Sequence, residues 1–333
     1  MMSKISENKV IKKIRGANIP GILVGDILLV IFFAIVSDGF FTPYNLMLIL
    51  RNCCTLLLTS MGLTLVILMG KNDISVGSIV SMTAVTIAVL LEKGLPTFLV
   101  VIIALAMGAL IGTINGILVA KLNFDYWVVA FASMSIFAGL ALVTTDGVTV
   151  SIHNDILDWI GNGKILGVYV IIWLTIILTI IMILVQNKTR FGYNVYSIGG
   201  SENVAKVSGV QVVKTRILVY MLSGFFASVA GLAIACMTNS GSPSVGTDYS
   251  FNAMAAVVIG GTSFSGGKGG ILGTVFGTLL LRILTSGLSL MGIPSTWQRA
   301  ITGLVIVAVI VVDVLNVNRK NIKGLRRVYR NVA

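Results

Sequence analysis

The chain has 333 residues, of which 56% are hydrophobic and 11% are charged, and its formal net charge is +12. Soluble globular domains carry about 25% charged residues, so this composition excludes an ordinary soluble enzyme, a disordered chain and a small secreted scaffold. It indicates an integral membrane protein. The excess of cations does not predict nucleic-acid binding, because lysine and arginine lie at the chain ends and between apolar runs rather than in one cluster.

Apolar runs separated by turn-rich segments predict an all-α integral membrane protein with about ten transmembrane helices, each needing about 20 residues to cross the bilayer core. The predicted spans are 20–36, 45–69, 75–91, 97–120, 127–144, 167–186, 215–237, 251–262, 270–290 and 297–315. The eighth span is short and ends in a glycine cluster, which is typical of a broken or re-entrant element rather than a full crossing. The stretch from 145 to 167 is predicted to be a long outer loop.

The distribution of cations predicts the orientation of these spans, because cytoplasmic loops are enriched in lysine and arginine. With both termini in the cytoplasm, all 24 cations fall on the inner side except Arg51, Lys93, Lys164, Arg282 and Arg299. We therefore predict a basic cytoplasmic N-terminal tail over 1–19, a transmembrane domain over 20–315 and a basic cytoplasmic C-terminal tail over 316–333.

One inner loop, 187–216, is long enough to carry structure of its own. Within it, SENVAKVSGV (201–210) predicts a two-turn helix. Ser201 suits the N-cap, Glu202 lies near the positive end of the helix dipole, and Gly209 suits a left-handed C-terminal stop. The residues alone allow either a passive linker or a docking element for a cytoplasmic partner.

Six motifs in a fixed order carry a family resemblance. They are FFTPYNLMLILR (40–51), MGLTLVILMGKNDISVGS (61–78), NGILVAKL (115–122), TRFGYNVYSIGGSENVAKVSGV (189–210), GTDYSFNAMAAVVIGGTSFSGGKGGILGT (246–274) and WQRAITGLVIVAVIVVD (297–313). Together they resemble the membrane-spanning permease subunits of ATP-binding-cassette (ABC) importers for sugars, of the ribose, xylose and galactose type.

The resemblance implies a non-catalytic permease of the bacterial cytoplasmic (inner) membrane, which translocates a small polar solute, most simply a monosaccharide, by alternating access. It also implies partners: ABC ATPase subunits that bind ATP and Mg²⁺, an extracytoplasmic solute-binding protein, a second permease chain in a homo- or heterodimer, and membrane lipid. This chain itself is expected to bind no cofactor. The residues that resemble the family's ATPase-coupling helix are Gly199, Gly200, Ser201, Glu202, Ala205, Lys206, Ser208 and Gly209.

Departures from the family pattern leave the solute open. The segment from Asn123 to Trp127 lacks the usual prolines, and Lys71 stands beside Asp73 in GKNDI. A permease for a non-sugar or sugar-derived signalling molecule is therefore an alternative. An ion-coupled secondary transporter is a rival of another class. It needs acidic residues deep in spans, whereas Asp26 is expected near a span end and Asp73 at a span boundary.

The chain carries no ATP-binding loop of its own. The nearest string, TSFSGGKGG, has Thr262 where the first glycine of the phosphate-binding loop belongs, and Gly269 where Ser or Thr should follow Lys268. ATP must then be bound by a separate subunit.

A polar solute needs hydroxyl partners and flat apolar faces along its route through hydrocarbon. Residues of these types in or beside spans are candidates for the translocation path or a gate: Asn72, Asp73, Ser75, Asn115, Trp127, Phe131, Asn252, Thr274, Trp297 and Gln298. Each also has a plainer interpretation. Asp73 or Ser75 suits an N-cap of the third span, hydroxyls in membrane helices bond to nearby backbone, and Trp127 and Trp297 suit the aromatic belts at span ends.

Overall fold

The computed structural model describes residues 19–305 together with residues 307 and 311, and most of them are helical. The elements are α1 (Ile19–Val36), α2 (Pro43–Leu68), α3 (Val76–Glu92), α4 (Thr97–Ala120), α5 (Tyr126–Thr144), β1 (Val150–Ser151), α6 (Asp155–Asn162), β2 (Lys164–Ile165), β3 (Val168–Tyr169), α7 (Val170–Lys188), α8 (Arg190–Gly200), α9 (Glu202–Val207), α10 (Val212–Thr238), β4 (Ser240–Gly241), α11 (Tyr249–Ile259) and α12 (Ile271–Leu290). Helical backbone resumes at residue 295 and is described as far as 305.

The prediction of a largely helical membrane protein is confirmed. Among the described residues, six helices are long and apolar enough to cross a membrane, namely α2, α4, α5, α7, α10 and α12. Three shorter apolar helices cover Gly21–Val36, Val76–Glu92 and Tyr249–Ile259. The predicted tails 1–19 and 316–333 lie outside the described residues except for residue 19, as does the predicted tenth span beyond 305 apart from 307 and 311.

Helix α10 lies at the centre of the bundle, where it packs against α4, α2 and α3. Glycines let the backbones of α4 and α10 meet directly. A Cβ at Gly112 would overlap the carbonyl oxygen of Tyr220, and a Cβ at Gly224 would overlap that of Gly108. Small residues at such positions allow membrane helices to approach closely, and here they fix the central pair of the bundle.

Two non-helical segments enter the interior of the described bundle, 69–75 before α3 and 242–248 before α11. They run past each other at the start of α3. The backbone N–H of Gly246 donates to Ser81 Oγ (2.8 Å), and the N–H of Gly77 donates to Ser250 Oγ (3.0 Å), which itself donates to the carbonyl of Ile74 (2.6 Å). Side-chain hydroxyls thus satisfy backbone groups that no helix ladder reaches.

Helix α11 corresponds to the predicted eighth span and has 11 residues, Tyr249–Ile259. At 1.5 Å per residue it is about 16 Å long, which is too short to cross a core of ~30 Å. It turns at Gly260 and packs back to back with α12, where Gly260 lies against Gly273 and Ala256 against Gly277. A broken element, rather than a complete crossing helix, therefore occupies this position.

The segment 145–167, predicted to be a long outer loop, carries secondary structure of its own, namely β1, α6 and β2, and β2 pairs with β3 just beyond it. Strand β3 ends at Tyr169, so the predicted span 167–186 begins at Val170 instead. Helix α6 is held to the end of α10: Asn239 Nδ2 donates to Asp158 Oδ1 (2.6 Å), and Arg51 hydrogen-bonds Asn162 and the carbonyl of Met237. These contacts cross long sequence separations, which a local pattern does not reveal.

The inner loop 187–216 holds more helix than predicted. Helix α8 precedes the predicted short helix, and the expected break at NKTRFG reduces to Thr189, whose Oγ1 accepts from the N–H of Gly192 (3.3 Å). The glycine-rich segment 260–270 packs beside α8: Gly267 N–H donates to the carbonyl of Leu68 (2.9 Å), and Tyr196 Oη donates to the carbonyl of Gly269 (2.7 Å).

These segments meet at one end of the bundle, which we call the basic end and define by residues 69–75, 121–125, 187–211 and 260–270. Lys71 Nζ lies 4.9 Å from the ring centroid of Tyr126, which joins the 121–125 segment to it. The lysines and arginines that the charge pattern assigns to internal cytoplasmic loops lie in these segments or beside them. Strands β1 and β4 and helix α6 lie at the opposite end.

The close contact between α4 and α10 predicts that added volume there is harmful. Replacing Gly112 by Val should lower the free energy of unfolding by about 2 kcal/mol or more, because a packed interface must shift to admit the side chain. Thermal unfolding of the purified protein in detergent measures this. Gly139→Val is the matched control, since a Cβ at Gly139 of α5 meets nothing within 4 Å. Equal midpoints for the two variants would contradict the described packing.

Candidate coupling surface and solute path

The predicted short helix at the basic end is present as α9, Glu202–Val207. Ser201 Oγ accepts from the N–H of Val204 (3.4 Å), and Gly209 has φ +80°, so the predicted N-cap and left-handed stop are both confirmed. Gly199 and Gly200 form the last turn of α8 rather than part of the loop. The eight predicted coupling residues therefore lie where α8 meets α9, in residues 199–209, which we call the corner.

This corner rests on the end of α2. A Cβ at Gly199 would overlap the carbonyl oxygen of Leu68, and a Cβ at Gly267 would crowd the backbone of Gly200. Gly200 itself has open space around its Cα. The end of α8 is therefore in direct backbone contact with both α2 and the glycine-rich segment 260–270.

Glu202 ties the corner to the central helix. Its Oε2 accepts from Arg216 Nη2 (2.7 Å) in α10, and its Oε1 pairs with Lys206 Nζ (2.8 Å). The hydrogen bond from Lys206, followed by the contact with Arg216, holds the pKa of Glu202 below its ordinary value. Arg216 is only 5% exposed, so Glu202 is the acidic partner that neutralises a buried cation.

The outer face of the corner is apolar and exposed. Val207 is 87% exposed and Val204 is 61% exposed, with Tyr193 of α8 also exposed, whereas Ala205 is buried against the bundle. Ser208 and Lys206 border this face. Exposed apolar residues rimmed by polar ones are typical of an interaction surface.

Asp73 lies in the first of the two interior segments and is completely buried. Its Oδ1 accepts from both the N–H and the hydroxyl of Ser75, and its Oδ2 accepts from Ser223 Oγ of α10 (3.2 Å). Asn115 Nδ2 of α4 donates to Ser75 Oγ (3.0 Å) and to Ser133 Oγ of α5 (3.1 Å). One polar network therefore joins four elements.

Asn72 completes that network. Its Oδ1 accepts from the N–H of Asp73 (2.9 Å), its carbonyl accepts from Tyr220 Oη (3.1 Å), and its Nδ2 lies 3.0 Å from Met254 Sδ of α11. Four of the predicted path residues, Asn72, Asp73, Ser75 and Asn115, are thus brought together. Asp73 caps the turn that leads into α3, while the Ser75 side chain makes no cap hydrogen bond.

The remaining predicted path residues lie elsewhere. Thr274 is buried and shares a hydrogen bond with Thr64 (2.8 Å), which joins α12 to α2. Trp127, Phe131 and Trp297 are exposed on the surface of the chain, by 44%, 60% and 65%. None of the hydrogen bonds described for the Asp73 network involves these three side chains.

Asn252 and Gln298 line a separate cleft of about 410 Å³, formed by α11, α12 and the helix that begins at 295. Its other lining residues are Leu56, Asp248, Phe251, Leu281, Arg282, Thr285, Ser295, Arg299, Thr302 and Gly303. The charged members were not among the predicted path residues. Arg282 falls inside the predicted span 270–290, but its neighbours in the cleft come largely from other helices, which the sequence pattern does not reveal.

The expectation that Asp26 lies near a span end is wrong. It lies in the middle of α1, is 4% exposed, and neither carboxylate oxygen has a hydrogen-bond partner in the part of the chain that the structure describes. The helical bundle thus does contain a buried carboxylate in the middle of an apolar helix. The error arises because composition locates a span but not which of its positions faces a neighbouring helix.

Comparison with known proteins gives one consistent family. The family model described as "Branched-chain amino acid transport system / permease component" matches residues 45–310. The ribose import permease protein of Escherichia coli K12 is 36% identical over 295 residues, covering 87% of this chain and 92% of that protein. The autoinducer 2 import system permease protein of Escherichia coli K12 (DH10B) is 34% identical over 291 residues, covering 87% and 85%.

A third relative, the L-arabinose transport system permease protein of Escherichia coli K12, is 33% identical over 252 residues, covering 76% of this chain and 77% of that protein. No solved structure matches the chain significantly.

The Asp73 network predicts a specific stability ranking. Asp73→Ala removes the acceptor of three buried donors on Ser75 and Ser223, and each orphaned group costs about 1–3 kcal/mol, so unfolding should be easier by about 3 kcal/mol or more. Asp73→Asn keeps one acceptor oxygen and should cost less. Chemical unfolding of the purified variants measures both. Ser135→Ala, which removes only a bond to its own helix at Phe131, is the control, and a loss as large as that of Asp73→Ala would refute the ranking.

Proposed function

Because the chain belongs to the branched-chain amino acid transport system / permease component family, as a sugar-type permease subunit of an ABC importer in the inner membrane, we propose that it translocates a monosaccharide by alternating access. The names of the ribose and L-arabinose permeases support a monosaccharide. The autoinducer 2 permease keeps a sugar-derived signalling molecule as the alternative solute. Family membership removes the ground for an ion-coupled secondary transporter.

The proposed topology has ten spans with both termini in the cytoplasm, a transmembrane domain over 20–315 and basic tails over 1–19 and 316–333. The clustering of Lys71, Lys121, Lys206 and Lys268 at the basic end supports it, because positive residues favour the cytoplasmic side. The opposite end then faces outward. There, α6, β1 and β4 form the platform on which we place the extracytoplasmic solute-binding protein. Two permease chains are proposed to enclose the pore.

The ATPase subunit is proposed to dock on the corner 199–209 and to supply ATP and Mg²⁺, while this chain takes no part in ATP chemistry. The observation that carries this proposal is that α9 has an exposed apolar tip, Val204 and Val207, and is joined to the central helix α10 by an ion pair. Val204 and Val207 project outward, and Glu202 fastens the same helix to the buried Arg216 of α10. A force applied at the tip therefore reaches the central helix without passing through a flexible linker.

Two further contacts extend this route. The end of α8 meets the carbonyl of Leu68 at the end of α2, and Gly267 of the glycine-rich segment donates to the same carbonyl. Movement of the corner would therefore shift α10, α2 and the α11–α12 pair together. These helices carry both the Asp73 network and the cleft at Asn252, so displacement at the basic end is transmitted to the interior of the bundle.

Docking predicts that a charge at the tip blocks assembly. Val207→Asp should reduce co-purification of the ATPase subunit by at least ten-fold, since an unpaired carboxylate would be buried in the interface, while the thermal unfolding midpoint of the permease stays unchanged. Val148→Asp is the matched control, because Val148 is 63% exposed but lies at the opposite end. Normal ATPase recovery with Val207→Asp would overturn the docking surface.

The tie to α10 predicts loss of coupling without loss of assembly. Glu202→Gln leaves the buried Arg216 without its acidic partner, so ATP hydrolysis stimulated by the solute-binding protein should fall about ten-fold while ATPase recovery is retained. Lys206→Gln is the control, since the pair it makes with Glu202 is exposed and contributes about 1 kcal/mol or less. Equal behaviour of the two variants would contradict the tie.

The same tie has a pH dependence of known sign. The pKa of Glu202 is lowered in the folded protein, so its stabilisation is present above the ordinary carboxyl pKa and is lost as the pH falls through the lowered value. Glu202 therefore stays ionised near neutral pH, so ATP hydrolysis stimulated by the solute-binding protein should not change there through titration of Glu202, and the loss in Glu202→Gln should be the same across that range.

A further inference from the structure

The cleft at Asn252 carries a charge that makes no ion pair within the part of the chain that the structure describes. Arg282 lies midway along α12, and its Nε is buried without a hydrogen-bond partner among the described residues. Its guanidinium carbon is 5.9 Å from the ring centroid of Tyr249, which Thr55 holds in place through a hydrogen bond of 2.9 Å. The aromatic ring offers a weak cation–π contact but no compensating charge.

The nearby acidic residue is already engaged. Asp248 Oδ2 pairs with Arg299 Nη2 at 2.9 Å, and both side chains are well exposed at the rim of the cleft. Asp26, the buried carboxylate of α1, makes no ion pair with Arg282 within the described ranges. The cleft therefore has one paired cation at its mouth and an unpaired guanidinium deeper within.

A guanidinium in a membrane-spanning segment is costly unless it is paired or hydrated, and such residues mark ligand pathways. We propose that this cleft is a solute subsite in which Arg282 binds a carboxylate or phosphate group of a sugar-sized solute. The proposal rests on the transport function proposed above and specifies its substrate class: an anionic derivative of a sugar rather than a neutral sugar.

The other lining residues fit such a solute. The planar fork of arginine matches two oxygens of a carboxylate or phosphate. Asn252 and Gln298 provide amide oxygens and nitrogens for hydroxyl groups, and Phe251, which is 54% exposed, provides a flat apolar face for the sugar ring. A volume of about 410 Å³ lies within the usual range of about 300–1,000 Å³ for small-molecule sites.

The test is direct binding to the purified full chain in phosphatidylcholine nanodiscs, measured by saturation-transfer NMR and calorimetry. The probes are D-glucuronate and D-glucose 6-phosphate, with D-glucose as the neutral molecule of the same ring. At least one anionic probe should bind ten-fold more tightly than D-glucose. Arg282→Gln should abolish that preference, and Arg282→Lys should retain part of it. Lys164→Gln removes an exposed cation of β2 outside the cleft and should leave binding unchanged.

Four outcomes would overturn the proposal: no binding of any probe, equal binding of neutral and anionic probes, an unaltered preference in Arg282→Gln, or loss of anionic binding when phosphatidylglycerol is added. The last would assign the subsite to a lipid headgroup. Co-purification of the ATPase subunit, measured with the same variants, separates this result from the transport proposal. If the ATPase fails to assemble with the unaltered chain, the proposed function fails, whereas the anion preference is judged by the binding data alone.

Discussion

Every peptide group placed inside a bilayer must find its hydrogen bond within the protein, because unsatisfied N–H and C=O groups cost several kcal/mol each in hydrocarbon. This chain interrupts its helices in the interior, before α3 and before α11, and so faces that cost directly. The hydroxyl oxygens of Ser81 and Ser250 accept hydrogen bonds from the buried N–H groups of Gly246 and Gly77, which have no partner in a helix. Side chains near the N-terminal ends of α3 and α11 thus supply hydrogen-bond partners to the non-helical segments beside them, which stabilises both interruptions inside the bundle.

The division between rigid and adjustable parts follows from these bonds. Helices α4 and α10 touch backbone to backbone at Gly112 and Gly224, so they behave as one body. The corner of α8 and α9 is attached to that body through Glu202 and Arg216. In contrast, α11 ends after 11 residues at Gly260 and Gly261, and an open cleft lined by both polar and apolar side chains separates it from the helix that begins at 295. A force applied at the basic end therefore acts first on the closely packed helices α4 and α10. It reaches α11 and the helix that begins at 295 through them.

Local signals predicted those features that depend on a few adjacent residues. Ser201 and Gly209 predict the two ends of α9, because helix capping depends only on residues within a single turn. Helix α8 was missed because RFGYNVYSIGG, with three glycines, has low helical propensity, and contacts such as Tyr196 to Gly269 stabilise it from a distant part of the chain. The partners of Asp73 were equally invisible, since Ser223 lies 150 positions away. Charge placement predicted which segments meet at one end, but not the packing that brings Arg282 beside Asn252.

The hydrogen bond from Gly267 to the carbonyl of Leu68 has a consequence for biogenesis. A ribosome makes the end of α2 long before it makes the segment 260–270, yet the two are finished as one surface. Spans translated early can enter the bilayer while that surface is still incomplete. The contact at Leu68 can form only after the segment 260–270 has been made, so a chain that stops before residue 260 would contain α2 without the segment that completes its end.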